Sequence, residues 1–167
     1  ATRPGCPIST SAAGGSSRVI YVKTNRRVAD GFNNNGVTVA GAAATQIGTT
    51  IVQGNSEFKL WRLIAPAASG DIVAGVSGGT AVMEVSWMTW SDVDQTTPEG
   101  TVTQVARNGS VALTLDTVTT VDQSVASFCA VEDDTQPAPP QFTSTGVNQT
   151  ERTDAGTGRQ LSTSASQ

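Results

Sequence analysis

The stretch of sequence that decides the fold is residues 80–90, TAVMEVSWMTW. Successive side chains of a β-strand point to opposite faces, so odd- and even-numbered residues separate here. The odd face carries Met83, Val85 and Trp87, and the even face carries Val82, Glu84, Ser86, Met88 and Trp90. An unpaired charge is costly in a dry core, so the even face with Glu84 is predicted to point outward, or into a subunit interface with polar partners. We therefore expect a long strand with Trp87 in the core and Trp90 on a contact surface.

Similar strand patterns extend in both directions from this stretch. β-Branched and aromatic residues concentrate in short runs at 18–24, 36–40, 47–52, 58–64, 71–76, 101–106, 110–115, 117–121 and 125–131. Turn-forming pairs separate several of these runs, among them Asn35-Gly36 and Gly70-Asp71. Nine or ten short strands with frequent turns are typical of a sandwich or jelly roll. The sequence thus predicts an all-β fold, an antiparallel β-sandwich or a jelly-roll-like arrangement, with almost no helix.

The two ends of the chain differ in composition from the middle. Residues 1–17 are rich in Ser, Ala and Gly, and residues 135–167 combine prolines with Ser, Thr and Gln. Such segments have too few apolar side chains to offset their ordering entropy alone. We predict an N-terminal arm over 1–17, a sandwich core over 18–134 and a C-terminal arm over 135–167, with the arms ordered by contacts to other subunits.

The two cysteines, Cys6 and Cys129, lie far apart in sequence. A disulfide between them would close a long loop and could contribute about 4–5 kcal/mol in the chain-entropy model. The alternative is two buried thiols, because the sequence alone does not show proximity.

The composition limits the classes of partner. Charged residues make up 14 % of the chain and the net charge is −4, against about 25 % charged residues in typical domains. The densest basic cluster is Arg26-Arg27 with Lys23, which is too sparse for a direct nucleic-acid clamp. No apolar run approaches the roughly 20 residues of a membrane span. A weakly charged, polar surface is typical of secreted β-proteins, pilus subunits and coat proteins.

The residues that most enzymes use are scarce. The chain has no histidine, which removes histidine-based catalysis and histidine metal sites. Asp92 and Asp94, or Glu132 to Asp134, could supply paired carboxylates for a glycosidase. The pattern indicates calcium less strongly, with Asp92, Asp94 and Glu99 as oxygen ligands. Aromatic residues, which usually line sugar clefts, are only 5 % of the chain. We therefore expect no catalytic residues, no cofactor and no metal, and interpret these carboxylates as solvated groups at strand ends.

Large apolar side chains point instead to contact with a partner. Trp90 and Met88 share the outward face of the long strand, and Trp61 lies in an earlier apolar run. Tryptophan and methionine are enriched at protein interfaces. Trp90, Met88 and Trp61 are accordingly the candidate interface residues.

One resemblance to a known family involves the segments FKLWRLIA at 58–65, GTAVMEVSWMTW at 79–90 and Thr97-Pro98. Together they resemble the last two strands of the shell domain, and the hinge after it, in coat proteins of small icosahedral RNA viruses. The resemblance covers about a quarter of the chain. It implies a structural, non-enzymatic virion protein, either a capsid subunit or a surface-projection module, that assembles with copies of itself or with other capsid subunits.

Such a protein would reside in the virion and could bind a glycan or receptor on the host surface. The alternative is a secreted pilus or adhesin subunit of a bacterium or fungus, located outside the cell or on its surface. A carbohydrate-active enzyme is the third class.

Overall fold

The computed structural model describes residues 6–9, 17–78, 83–99, 102, 126–132, 150–156 and 160–166. Its strands, in chain order, are β1 (Cys6–Ser9), β2 (Val19–Arg27), β3 (Phe32–Val39), β4 (Ala42–Ala43), β5 (Thr45–Gln53), β6 (Ser56–Ile64), β7 (Ser69–Gly78), β8 (Met83–Trp90), β9 (Ala126–Glu132), β10 (Thr150–Gly156) and β11 (Gln160–Ser166). The only helical element in the described residues is a 3-10 turn at Val28–Asp30. The predicted all-β fold is therefore confirmed.

The chain divides into two compact units, residues 1–52 with 57–104 and residues 53–56 with 105–167. The first unit contains two four-stranded sheets. Sheet I has the strand order β5-β6-β2-β8, and sheet II has the order β1-β7-β3-β4. In sheet I, β2 is antiparallel to β8. In sheet II, β7 is antiparallel to both β1 and β3.

The core of the first unit lies between the two sheets. Sheet I contributes Ile20, Val22 and Trp61, and sheet II contributes Val37, Val39 and Ile72. Ile20 and Val22 are two residues apart on β2, as are Val37 and Val39 on β3, so each pair shares one face of its strand. These two faces pack against each other, which makes the first unit an antiparallel β-sandwich.

The second unit contains sheet III, with strand order β10-β11-β9 and antiparallel pairing throughout. Two of its strands, β10 and β11, lie within the predicted C-terminal arm and pair with each other and with β9. Likewise β1, within the predicted N-terminal arm, pairs with β7. Both arms thus contain strands paired within the chain, and the two compact units divide the chain differently from the boundaries at 17 and 134. The strand runs predicted at 101–106, 110–115 and 117–121 lie outside the described residues.

Two predicted turns are wrong, because both glycine pairs lie inside strands. Asn35 and Gly36 are part of β3, where the register with β7 shifts between Asn34 and Gly36. The Asn34 side chain accepts a hydrogen bond from the Gly36 N–H at 3.2 Å. The Asn-Gly pair therefore forms a β-bulge instead of a turn, because a bulge needs the same local backbone freedom as a turn. Gly70, predicted to turn with Asp71, lies in β7.

Gly70 is required by close packing against the turn that joins β3 to β4. A Cβ atom at Gly70 would lie 2.4 Å from the Cβ of Ala40. Ala40 itself has a φ of 50° and its N–H donates to the carbonyl of Asp71 at 2.8 Å, so it has little freedom to move. The backbone φ of Gly70 is 151°, a value that side chains disfavour.

We expect Gly70→Ala to destabilise the first unit by about 1–3 kcal/mol from overpacking, in addition to the cost of the backbone conformation. Gly36→Ala is a matched control, because Gly36 has a φ of 153° but a Cβ atom added there would meet nothing within 4 Å. Urea unfolding followed by tryptophan fluorescence measures both variants. Equal losses of stability would show that the contact with Ala40 is of no consequence.

Candidate functional site

Strand β8 lies at the edge of sheet I, with β2 as its neighbour among the described strands. The register pairs Val19 with Trp90 at one end and Arg26 with Met83 at the other. Residues directly opposite in an antiparallel pair share a face. Since Val22 is in the core and lies opposite Trp87, the inner face of β8 carries Met83, Val85 and Trp87. The division of β8 into two faces is as predicted, but the even face does not point out into solvent, because Lys23 and Asn25 on the same face of β2 are fully buried.

The depth of burial differs from the prediction. Val85 packs against the core, but the Trp87 side chain is 38 % exposed. The prediction that Trp87 is the main core tryptophan is therefore wrong. An edge strand has a neighbour on one side only, so a large side chain near its rim keeps part of its surface in water.

Trp61 takes the place that the sequence suggested for Trp87. It lies on β6, an inner strand of sheet I between β5 and β2, is 7 % exposed and belongs to the core cluster. Its indole Nε1 donates to Thr24 Oγ1 at 3.0 Å. Trp61 is thus a core residue, and its assignment as a candidate interface residue is corrected.

The outer face of β8 carries the other two candidate interface residues, Met88 and Trp90, both half-buried. They lie opposite Tyr21 and Val19 in the register with β2. The Nε1 atom of Trp90 and the Oγ atom of Ser86 on the same face are enclosed but have no hydrogen-bond partner among the described residues. An enclosed polar atom without a partner costs about 1–3 kcal/mol. A role for Met88 and Trp90 in contact with a partner stays a prediction.

A buried ion pair lies further along the same outer face. Lys23 Nζ is 3.4 Å from Glu84 Oε1, and the Lys23 side chain is fully buried. Burial raises the pKa of Glu84 above its ordinary value, and the nearby Lys23 ammonium opposes this rise. Glu84, which the sequence placed outward because of its charge, therefore has a cationic partner. The single charged side chain of β8 is neutralised within the sheet.

A second set of polar side chains lies between the two sheets, at one end of the core. This inter-sheet polar cluster consists of Thr24, Arg26, Asn34, Glu57, Lys59 and the indole nitrogen of Trp61. Asn34 Nδ2 donates to Thr24 Oγ1 at 2.7 Å, and the same oxygen accepts from Trp61. The Thr24 hydroxyl thus accepts hydrogen bonds from sheet II and from β6, and the bulge in β3 places Asn34 on the core side.

The charged half of the inter-sheet polar cluster is centred on Glu57. Arg26 Nε and Nη2 each lie 2.7 Å from a different oxygen of Glu57, a bidentate pair. Lys59 Nζ lies 3.3 Å from Glu57 and donates to the carbonyl of Asn34 at 3.0 Å. The hydrogen bonds from Arg26 lower the pKa of Glu57, against the effect of burial, and the Lys59 charge lowers it further.

The inter-sheet polar cluster was not predicted from the sequence. The sequence nevertheless indicates it, because by strand alternation Arg26 shares a face with Ile20, and Glu57 shares a face with Trp61. Two opposite charges on core-facing positions of different strands indicate a buried pair.

The remaining candidate residues are distributed across the fold. Cys6 lies on β1 in the first unit and Cys129 on β9 in the second, and their side chains lie outside the described part, so the disulfide stays a prediction. Asp92 and Asp94 are exposed. Hydrogen bonds from the Thr96 N–H and the Thr97 hydroxyl lower the pKa of Asp94, whose carboxylate stabilises a local turn. Asp133 and Asp134 are not among the described residues.

Within the described ranges, no group of three or more His, Cys, Asp or Glu side chains is placed to hold a metal ion. No helix found there is long and apolar enough to cross a membrane. No family model, no curated protein and no solved structure matches this chain.

Proposed function

We propose that this protein is a structural, non-enzymatic virion protein, a capsid subunit or surface-projection module, that acts by self-assembly. The observation that carries the proposal is the edge strand β8. It combines a Trp87 side chain that is 38 % exposed on one face with half-buried Met88 and Trp90 on the other. Natural edge strands that must stay unpaired usually carry lysines, prolines or bulges. β8 has none of these, and its one charge is already paired with Lys23.

The composition supports the same function. A surface with few charges keeps the desolvation cost of large contacts low, and the net charge of −4 leaves little long-range repulsion between copies. The resemblance of residues 58–65 and 79–90 to the shell strands of small icosahedral RNA-virus coat proteins adds the virion context. These segments contribute to β6 and β8 of sheet I.

Electron microscopy of the purified full chain, combined with light scattering, tests the proposal. Closed particles of uniform diameter are the expected result. Filaments would favour the pilus-type alternative, and a monomer at every concentration would overturn self-assembly altogether.

Trp87→Lys is expected to weaken association between copies at least tenfold, because the lysine places a charge at the contact. The alkyl stem of the lysine can still lie along the sheet, so the strand itself is preserved. Val52→Lys is the matched control, since Val52 is 54 % exposed on β5 at the opposite edge of sheet I. Equal association constants for the Trp87→Lys variant and the unmodified chain would show that copies do not associate through β8.

A further inference from the structure

The start of β2 shows which backbone groups of sheet I face which neighbouring strand. The carbonyl of Arg18 accepts a hydrogen bond from the N–H of Ala65, just after β6 ends. The carbonyl of Ser17 accepts from the N–H of Val93, shortly after β8 ends. Because the N–H and C=O groups of successive strand residues point to alternate sides, the odd-numbered residues of β2 direct their backbone groups toward β8.

The register carries this alternation over to β8. Odd-numbered residues of β2 lie opposite even-numbered residues of β8, without a shift from the Val19–Trp90 pair to the Arg26–Met83 pair. The even-numbered residues of β8 therefore use their backbone groups in pairing with β2. The backbone N–H and C=O groups at the outer edge of β8 belong to its odd-numbered residues, Met83, Val85, Trp87 and Thr89.

β8 is also the least protected edge strand among the described residues of the first unit. Of the other edge strands, β4 has two residues and β1 contains Pro7. β5 contains Gly48 at a φ of 67°, a conformation typical of a bulge in a strand. β8 has eight residues, with neither a proline nor a positive φ. A long and regular edge of this kind is a template for pairing with another strand.

We propose that the strand pairing with this edge is β8 of a second copy, antiparallel and related by a twofold axis at Trp87. The inference rests on the proposed self-assembly and names the contact that joins two copies. In this register Trp87 lies opposite Trp87 of the second copy, and Val85 lies opposite Thr89. Each hydrogen-bonded pair exchanges two bonds, so about six backbone hydrogen bonds join the copies. The two exposed indoles form an aromatic cross-strand pair, which adds further stabilisation.

The same register makes the outer face of β8 complementary to itself. It places Glu84 opposite Trp90 of the second copy, in a non-hydrogen-bonded pair whose Cα atoms lie about 4.5 Å apart. Glu84 Oε2 and Trp90 Nε1 are enclosed polar atoms with no hydrogen-bond partner among the described residues. Both side chains are half-buried, so a change of rotamer can bring the acceptor of one copy to the donor of the other. No like charges are opposed, because Glu84 is the one charged residue of β8.

Disulfide cross-linking of the full chain tests this register. Ser86→Cys and Met88→Cys variants are mixed before assembly and oxidised, and mass spectrometry of peptides distinguishes the new linkage from any that involves Cys6 or Cys129. Positions 86 and 88 lie opposite each other in the proposed register, with Cα atoms close enough for a disulfide. Position 86 and its own copy are diagonal neighbours about 7–8 Å apart, which is too far. We therefore expect at least tenfold more linked dimer in the mixture than in either variant alone.

Val52→Cys is the matched control, because Val52 is exposed on β5 at the opposite edge of sheet I and should not link two copies. Light scattering on the same samples separates this inference from the proposed function. Assembly without a linkage between positions 86 and 88, or with position 86 linked to itself, would overturn the register while self-assembly stands. Monomers at every concentration would overturn both. Linkage between positions 86 and 88 within filaments would support pairing through β8 and favour the pilus-type alternative.

Discussion

Replacing Trp61 with alanine is expected to lower the free energy of unfolding of the first unit by about 3–5 kcal/mol, the usual cost of removing a buried tryptophan. The side chain is 7 % exposed, packs in the core cluster, and donates to Thr24. Its loss leaves a closed cavity between the sheets and removes one of the hydrogen bonds to the Thr24 hydroxyl. A domain with only about 5–15 kcal/mol of stability would lose much of its folded population.

Trp87→Ala is the matched comparison, because it removes a tryptophan that is partly exposed rather than buried. Trp87 is 38 % exposed at the sheet edge, so its removal leaves an open surface that water can fill, and we expect a cost of about 1–2 kcal/mol. Urea unfolding reports on both variants, because all three tryptophans of the chain lie in the first unit and the remaining two serve as probes. A larger loss for Trp87→Ala than for Trp61→Ala would mean that the two tryptophans have been assigned to the wrong environments.

Breaking the Arg26–Glu57 pair should have a comparable effect. Glu57→Gln leaves the Arg26 guanidinium buried without a carboxylate, and removing one partner of a buried ion pair costs about 3–5 kcal/mol. The double variant Arg26→Met/Glu57→Met should cost less than that, because the buried guanidinium is removed together with its partner and Lys59 keeps its hydrogen bond to the carbonyl of Asn34. This non-additivity, measured as a double-mutant cycle, separates the pairing of the charges from the packing of their side chains.

The same pair predicts an acid-sensitive stability. Hydrogen bonds from Arg26 hold the pKa of Glu57 below its ordinary value of 4.5. The folded state thus binds fewer protons at this site than the unfolded state, so the contribution is fully present above about pH 4.5 and is lost as the pH falls through the folded-state pKa. Urea midpoints measured from pH 7 to pH 3 should fall at the acid end in the unmodified chain and fall less steeply in Glu57→Gln. Parallel curves would show that Glu57 does not contribute to the acid sensitivity.

The sequence by itself determined the fold class and the two faces of the decisive strand. Strand alternation has a period of two, so the separation of Met83, Val85 and Trp87 from Glu84, Ser86 and Trp90 follows from position alone. The register with β2 confirms this separation. The runs at 18–24, 58–64 and 80–90 also coincide with strands of sheet I to within a few residues, because β-branched and aromatic residues favour a pleated, half-buried surface.

Only the tertiary structure decided how deeply each face is buried and which polar residues meet. Trp61 is in the core and Trp87 is partly exposed because β6 is an inner strand of sheet I, between β5 and β2, while β8 lies at the edge. Strand order is a non-local property that alternation does not encode. The contacts of Arg26 with Glu57 and of Asn34 with Thr24 likewise join residues on different strands. Asn35-Gly36 lies in a bulge rather than a turn because pairing with β7, and not local preference, sets the backbone there. Position 70 requires glycine because the turn at Ala40 leaves no space for a Cβ atom.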